Sequence, residues 1–510
     1  MISLRANIRC SFLFIAGLTC LLLPGGTAAQ WYGSSYGYFE HGQLLGGHPY
    51  DWATYTGNPA LLRISHRGDD LNMATHFGHA SGGFRRFVDP GRDASYTVLA
   101  SGSKTIDSRQ LFRGSFGFRR SEYFDWQWVS TRFYEEAHPF IMADSTTGRS
   151  RFNEILVNGG YAVELLPGWN LGASVEYMVD EGLKDIASKP LSTHRYIRFR
   201  AGSSYRTGRA EIGAYGGLDD GEEELRYTEF EGAILEETVL ISFRGYDEPV
   251  VQRRDRESRL TRFSSWHYGA HAAWTLQAGL RLHAQYRGWQ RALDVEEDIT
   301  RPRMEGHTSA NSHRLDADMI WPRNRYLLAL GYRFLSDEQW GEFQPFNVLM
   351  NEMDRRMHRF VTGWSVGLGE AAEAGVQWHL AYGDRSERDY YSDILWSADQ
   401  SDIGFNAGIT ARLTGRMRLR AHYGFLNRSS SNIVLETGDT GPFFDEYRRR
   451  DIEFMLSGFT ARQGSLEAVI RLDGNHEITA EIELCHQDSQ GSARKRRTIT
   501  SVLTYRIPLQ

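Results

Sequence analysis

Residues 151–180 read RFNEILVNGGYAVELLPGWNLGASVEYMVD. Ile155, Val157, Tyr161, Val163 and Leu165 alternate with Glu154, Asn158 and Glu164; Leu166-Pro167-Gly168-Trp169-Asn170 turns the chain; Leu171, Ala173, Val175, Tyr177 and Val179 then alternate with Ser174 and Glu176. Successive side chains of a strand point to opposite faces, so this period of two gives each arm one apolar and one polar face. The arms run about nine to twelve residues, longer than the five or six of an ordinary soluble strand and long enough to cross a bilayer at roughly 45°. Such a hairpin is the unit of a transmembrane β-barrel.

The unit recurs. Ile197, Phe199, Ala201 and Tyr205 reach a Thr207-Gly208 turn and return through Ala210, Ile212 and Ala214. Trp266 to Trp274 turns near Gln277 and returns through Leu280, Leu282, Ala284 and Tyr286. Further hairpins turn at Pro322-Arg323-Asn324, Gly369-Glu370 and Thr414-Gly415. Trp274, Trp321, Tyr326, Tyr332, Tyr382 and Tyr423 stand near strand ends, where an aromatic girdle belongs. The connections between hairpins are long and charged: about residues 180–194, 217–265, 288–312, 336–358, 384–402 and 426–449. Short turns on one rim and long loops on the other orient the barrel, with the short side toward the periplasm.

Two regions read less directly. Leu71 to His79 and Tyr96 to Lys104 are strands, and Phe112 to Trp128 is either one long strand or a hairpin bent at Arg119 to Tyr123. Ile452, Phe454 and Leu456 followed by Leu466, Ala468, Ile470 and Leu472 suggest one bulged strand before an Asp473-Gly474-Asn475 turn. Leu503, Tyr505, Ile507 and Leu509 form an amphipathic closing strand, followed by Gln510 rather than a terminal aromatic residue. The reading is an all-β fold, a transmembrane antiparallel barrel of about 16 strands within a range of 14–18.

The N-terminus sets the compartment. Arg5 and Arg9 precede an apolar run from Cys10 to Leu23, and Thr27-Ala28-Ala29 offers a cleavage site before Gln30. The run of about 14 residues falls short of the roughly 20 that a spanning helix needs. Residues 1–29 are therefore expected to be a signal peptide, 30–69 a periplasmic or plug-like segment, and 70–510 the barrel. Cleavage removes Cys10 and Cys20 and leaves Cys485 without an internal disulfide partner. Losing Arg5 and Arg9 moves the formal charge from −6 to −8, which argues against a nucleic-acid-binding role. The remaining cations are almost all Arg, with Lys only at 104, 184, 189 and 495.

Gly57-Asn58-Pro59-Ala60 resembles the Asn-Pro-Ala element near the start of long-chain fatty-acid transporter barrels and of barrels associated with type IX secretion. With the signal ending in Ala-Gln and a barrel over the rest of the chain, the sequence resembles an uncharacterised family of Bacteroidota outer-membrane barrels. The resemblance implies a fold and a location and transfers no catalytic or ligand residue.

No Walker loop, dinucleotide fingerprint, zinc-protease helix or nucleophile elbow occurs. His267, His271 and His283 share a hairpin, with Ser264 and Ser265 nearby; these and His422 are read as strand-end or lumen residues. No catalytic, cofactor-binding or metal-binding residue and no cofactor is assigned. Residues 219–262 open with Asp219-Asp220-Gly221-Glu222-Glu223-Glu224 and close with Arg253, Arg254, Arg256, Arg259 and Arg262. The expected arrangement is a solvated loop whose two charge blocks pair, with calcium in the acidic cluster or lipopolysaccharide phosphate on the arginines as sharper alternatives. Arg198, Arg200, Arg281, Arg287, Arg418, Arg420, Glu176, Glu481 and Glu483 are assigned to the lumen. The expected function is a non-enzymatic channel, transporter or membrane platform, the alternative being a barrel hydrolase acting on lipid or protein. Expected partners are outer-membrane lipid and lipopolysaccharide, the barrel-assembly machinery and envelope proteins, with no nucleic acid.

Overall fold

The structure, a computed structural model, describes residues 57–508 apart from 67, 128, 132–139, 145, 187–188, 228–239, 246–248, 253–257, 298–301, 324, 370, 473–475 and 491–493. The expected signal peptide, its cleavage site at Gln30, Asn324 and the 473–475 turn lie outside the described residues, as do Arg253, Arg254, Arg256, Leu509 and Gln510.

In chain order the strands are β1 (Asp70–Gly82), β2 (Arg92–Asp107), β3 (Gln110–Trp126), β4 (Phe140–Asp144), β5 (Gly148–Leu166), β6 (Trp169–Lys184) and β7 (Pro190–Thr207). Next come β8 (Ala210–Tyr227), β9 (Leu240–Arg244), β10 (Pro249–Gln252), β11 (Ser258–Thr275), β12 (Arg281–Glu297), β13 (Arg303–Arg323) and β14 (Tyr326–Phe343). The last are β15 (Val348–Gly367), β16 (Ala372–Asp389), β17 (Ile394–Arg412), β18 (Met417–Thr437), β19 (Phe459–Arg471), β20 (Glu477–Ser489) and β21 (Lys495–Pro508). All but β4, β9 and β10 form one antiparallel sheet of 18 strands. It closes because β1 pairs with β2 on one side and with β21 on the other, from Asp70 opposite Pro508 to Gly82 opposite Arg496. Closure leaves no unpaired edge, the condition for a sheet to cross lipid. The count stands at the top of the expected range.

Alternation sets the two faces. On β16 the outward positions Ala374, Val376, Trp378, Leu380 and Tyr382 are apolar, and the series then turns polar at Asp384, Ser386 and Arg388. On β14 Tyr326, Leu328, Leu330, Tyr332 and Phe334 give way to Ser336 and Glu338. An apolar run of about ten residues matches a tilted bilayer crossing. Tyr326 stacks on Trp364 near the short-turn rim, ring centroids 6.2 Å apart, and His358 stacks on Tyr382 higher up at 4.9 Å. These rings bound the belt on two levels.

The six hairpins form as expected, but the charged connections are built largely as strand. Residues 336–358, for example, are the top of β14 and most of β15, joined by only 344–347. Above the lipid the outward face has no need to be apolar, so alternation fades while the backbone ladder continues. Phe112–Trp126 lies within one strand rather than a hairpin bent at Arg119 to Tyr123, its register shifting between Tyr123 and Trp126. Ile452, Phe454 and Leu456 are not strand: Arg449–Leu456 is a helix, α2, in which Ile452 and Leu456 share the buried face one turn apart. An apolar spacing of two and four residues fits both structures, and the partner surface decides.

Two insertions roof the long-connection rim. β4, β9 and β10 form a small antiparallel sheet. Its Phe140 packs with Leu293, Val295, Phe343 and Met350, and its Met142 with Leu225 and Tyr227. α2 and the preceding π-helical turn, Phe444–Arg448, place Phe444, Ile452 and Leu456 against Ile394, Trp396 and Ala398. Arg448 joins the two parts by donating from Nη2 to the Gly245 carbonyl at 3.3 Å. At the opposite rim a 3-10 turn, Pro59–Leu61, leads into the short helix α1, Leu62–Ser65.

Candidate functional site

The inward face of the barrel divides into two walls. The first, from β5 to β8 and on to β11, is floored with small residues. A Cβ on Gly172 would lie 2.3 Å from the backbone of Pro59, and one on Gly202 would lie 2.2 Å from Asn58 Oδ1. The glycines thus let residues 57–62 seat directly on the wall. Asn58 donates from Nδ2 to the Ser203 carbonyl at 3.1 Å and caps the turn by accepting from Ala60 N at 3.0 Å. Arg63 donates to Asn170 Oδ1 at 3.0 Å and pairs with Glu164. Between this segment and β8 to β13 lies a cavity of about 350 Å³ lined by Leu61, Ile64, Arg206, Glu211, Arg281 and His283, among others.

Two arginines on this wall pair with acids across the ladder. Arg198 forks onto Asp219, from Nε at 2.9 Å and Nη2 at 3.0 Å, and stands 3.9 Å from Glu176. Arg206 donates from Nε to Glu211 at 2.8 Å. Here too lie the candidate residues of the β11 hairpin. His267 Nε2 is 2.5 Å from Asp219 Oδ2 and 2.9 Å from Ser265 Oγ, whereas Ser264 faces outward. A relay of the serine-hydrolase kind needs the acid on one ring nitrogen and the nucleophile on the other. Here one nitrogen serves both, and Asp219 is committed to Arg198. His271 Nε2 is 3.6 Å from Glu211, and His283 lies on the neighbouring strand, so the three histidines serve separate contacts. His422 is a buried lumen residue of β18.

The 219–262 segment departs from a loop. Asp219 to Tyr227 belongs to β8, which turns Asp219 and Glu223 inward and Asp220, Glu222 and Glu224 outward, so no common cation pocket forms. Among the described residues no three acidic, His or Cys side chains converge to hold a metal ion. Of the closing arginines that are described, Arg259 donates to Glu297 at 2.7 Å and Arg262 to Glu296 at 2.7 Å, both on β12.

The second wall, β12 to β16, is lined by large cations. Strand register sets Arg287 opposite Arg314, Arg333 opposite Arg359, and Arg355 opposite Arg385. Asp316 sits among the first three: Arg314 Nε donates to it at 2.9 Å, Arg287 Nη2 at 3.2 Å and Gln285 Nε2 at 2.7 Å, and Arg333 Nε stands 3.6 Å away. Arg333 and Arg359 are 2% and 3% exposed, so the wall is deeply enclosed. Of these arginines the sequence reading had named only Arg287. Arg314 and Arg333 have the parity opposite to Leu315 and Phe334, a signal present in the sequence, but the pairing needs the register. The nine charged residues assigned to the lumen all face inward.

Above the walls, Asp451 of α2 accepts from Phe87 N at 2.7 Å in the β1–β2 connection, with Arg448 at 3.7 Å. Burial pushes its carboxyl up to about 7, against the pull of Arg448 and Arg86.

Among functionally curated proteins none matches the chain. Similar solved structures include the siderophore receptor PiuA from Acinetobacter baumannii, at 8% identity and a TM-score of 0.44, covering 87% of this chain and 82% of that one. Another is the outer membrane transporter YddB from Escherichia coli, at 7% identity and a TM-score of 0.42, covering 87% and 81%. A third is a deletion mutant of the monoaromatic hydrocarbon channel TodX, at 11% identity and a TM-score of 0.35, covering 92% and 98%. Residues 59–505 match the model of a family of unknown function (DUF6850), and the chain belongs to that family.

Proposed function

We propose that the protein is a non-enzymatic transport barrel of the outer membrane, admitting a polar solute along a charged lumen. The observation that carries this reading is the pairing of an apolar outward belt with an inward face charged through the depth of the belt, from Arg281 near the short turns to Arg385 near its top. A barrel serving only as a platform has no use for charge at that depth, where every ion must be desolvated and partnered. Hydrolysis is disfavoured by the shared nitrogen of His267. On this reading the short turns face the periplasm and the roof faces outward, in contact with lipopolysaccharide. The assembly machinery inserts the barrel through its closing strand, and the chain is kin to the Bacteroidota envelope barrels that residues 57–60 resemble. The test is purified full-length protein in planar bilayers: ion current with no release of fatty acid or peptide supports transport, and hydrolysis without current would replace it with the enzymatic alternative.

A further inference from the structure

Above the apolar belt, outward arginines on several strands meet outward acids. Arg262 reaches Glu296 at 2.7 Å, Arg356 reaches Asp354 at 3.1 Å, Arg120 reaches Glu122 at 2.9 Å, and Arg195 pairs with Glu222. Arg262 comes from the block whose sequence suggested contact with lipid phosphate, and it is thereby engaged within the chain.

The outward face around the closing seam is different. Strand register sets Arg462 of β19 opposite His486 of β20, and His486 opposite Arg497 of β21. Arg497 is opposite Ser81 of β1, and Ser81 is opposite Arg92 of β2. All three arginines are exposed, and none forms an ion pair among the described residues. Arg92 lies over the Phe124 ring, 4.1 Å from its centroid, which steadies the guanidinium without neutralising it. Asp488, on the same face as His486, is engaged by His486 at 2.9 Å and by Lys495 at 3.4 Å. Cations on alternate strands with no carboxylate between them repel one another unless an anion from outside joins the row.

The surface beneath the row says which anion. On the same strands the next outward side chains toward the belt are Leu466 below Arg462, Leu484 and Ile482 below His486, and Ile499 and Leu503 below Arg497. Leu466, Ile482, Ile499 and Leu503 are exposed. The cations thus stand at the level where the apolar face ends. A soluble anion would use only the row, whereas a phosphate-bearing lipid uses the row and the apolar stripe together.

We propose that the outward face of β19, β20, β21 and β2 is a binding site for the phosphate headgroup of an outer-leaflet lipid, lipopolysaccharide, whose acyl chains lie along the stripe below. Arg462 and Arg497 are two strands apart, roughly 10 Å, so they can meet separate phosphoryl groups of one headgroup. A guanidinium suits this because its planar fork meets phosphate oxygens through two parallel hydrogen bonds. Basic side chains at a membrane surface also draw anionic lipid toward them. The site lies outside the lumen and goes beyond the transport reading; it rests on the orientation given with that reading, roof outward.

The experiment measures binding of lipid A to the delipidated full-length barrel in detergent, beside lipid A stripped of its phosphates. The expected result is saturable binding that prefers the phosphorylated form and weakens with salt. Arg462→Gln with Arg497→Gln should lower the affinity by about tenfold or more, the loss of roughly one charge-assisted contact. Arg356→Gln, which removes an arginine already paired with Asp354, should leave it unchanged. Assembly of each variant is checked by its heat-dependent gel mobility. Equal affinity for the two forms of lipid A overturns the proposal without any variant. Sodium phosphate that competes at the same concentration as lipid A assigns the row to a soluble anion and also overturns it. Orientation is tested by itself, with a membrane-impermeant maleimide on Arg497→Cys in intact cells. Labelling only after permeabilisation would overturn the orientation and the outer-leaflet source with it. Labelling from outside without lipid A binding would overturn the site alone.

Discussion

The glycine-floored wall and the arginine wall share one backbone geometry and resolve lumenal polarity in opposite ways. On β5 to β8 the missing side chains admit part of the chain's own N-terminal segment, and Arg198 and Arg206 each meet an acid across the ladder. On β12 to β16 guanidiniums face guanidiniums across the ladder, with Asp316, Asp337 and Glu387 set among them. The difference teaches that a barrel's lumen is specified strand by strand: one arc matches cation to acid across the ladder, and the other shares a carboxylate among several cations.

The largest expected effect tests how the arginine wall holds together. Asp316→Asn removes the carboxylate shared by Arg287, Arg314 and Arg333 and should cost about 3–5 kcal/mol, as breaking a buried ion pair does. Asp219→Asn on the other wall should cost less, since Arg198 keeps Glu176 at 3.9 Å. Urea unfolding of the two variants gives the ranking, and equal costs would erase the distinction between the walls.

Next in size is a charge moved from the lumenal to the lipid face of one strand. β14 carries Arg333 inward, whereas Leu330→Arg three residues away would set the same side chain in lipid, at about 2–4 kcal/mol near the midplane. Loss of the heat-dependent gel shift is the expected outcome, and tolerance would mean that the faces are exchanged. This part of the fold was legible from sequence because lipid imposes the period of two directly. The upper halves of the strands were not: with water on the outer face, Ser336, Glu338 and Asp354 carry no period, and only backbone pairing makes them strand. The roof was hidden for another reason, since Phe140, Met142 and Phe444 are single large side chains whose partners lie far away in the chain. The Arg pairs needed register, which residue types alone do not supply.

A smaller effect should follow Gly172→Val, which puts a branched side chain where the Pro59 backbone lies and should cost about 1–3 kcal/mol by overpacking. Leu61→Cys in that background should react with a maleimide faster than in the parent, while buried Cys485 stays silent. No gain in reactivity would mean that the glycines do not seat the segment. The smallest expected effect concerns the roof. Asp451 has a folded pKa of about 7, above the ordinary 3.8, so the docked roof binds an extra proton between those values. Its docking is strongest below that window and weakens as pH rises through 7. Amide exchange in 449–456, corrected for intrinsic rate, should be slower at pH 5 than at pH 8, and Asp451→Asn should flatten the difference.

The seam between β1 and β21 has a consequence for how the protein comes into being. Its two strands are the earliest and latest of the barrel, so the pairing from Asp70–Pro508 to Gly82–Arg496 is the most sequence-distant contact in the sheet. Ordering so long an intervening chain before that contact forms is entropically slow. Until it forms, both strands are bare edges able to template pairing with another copy. The barrel therefore has no half-built soluble state to wait in: the chain must be kept from aggregating until its last strand arrives, and losing either seam strand disables the whole sheet at once.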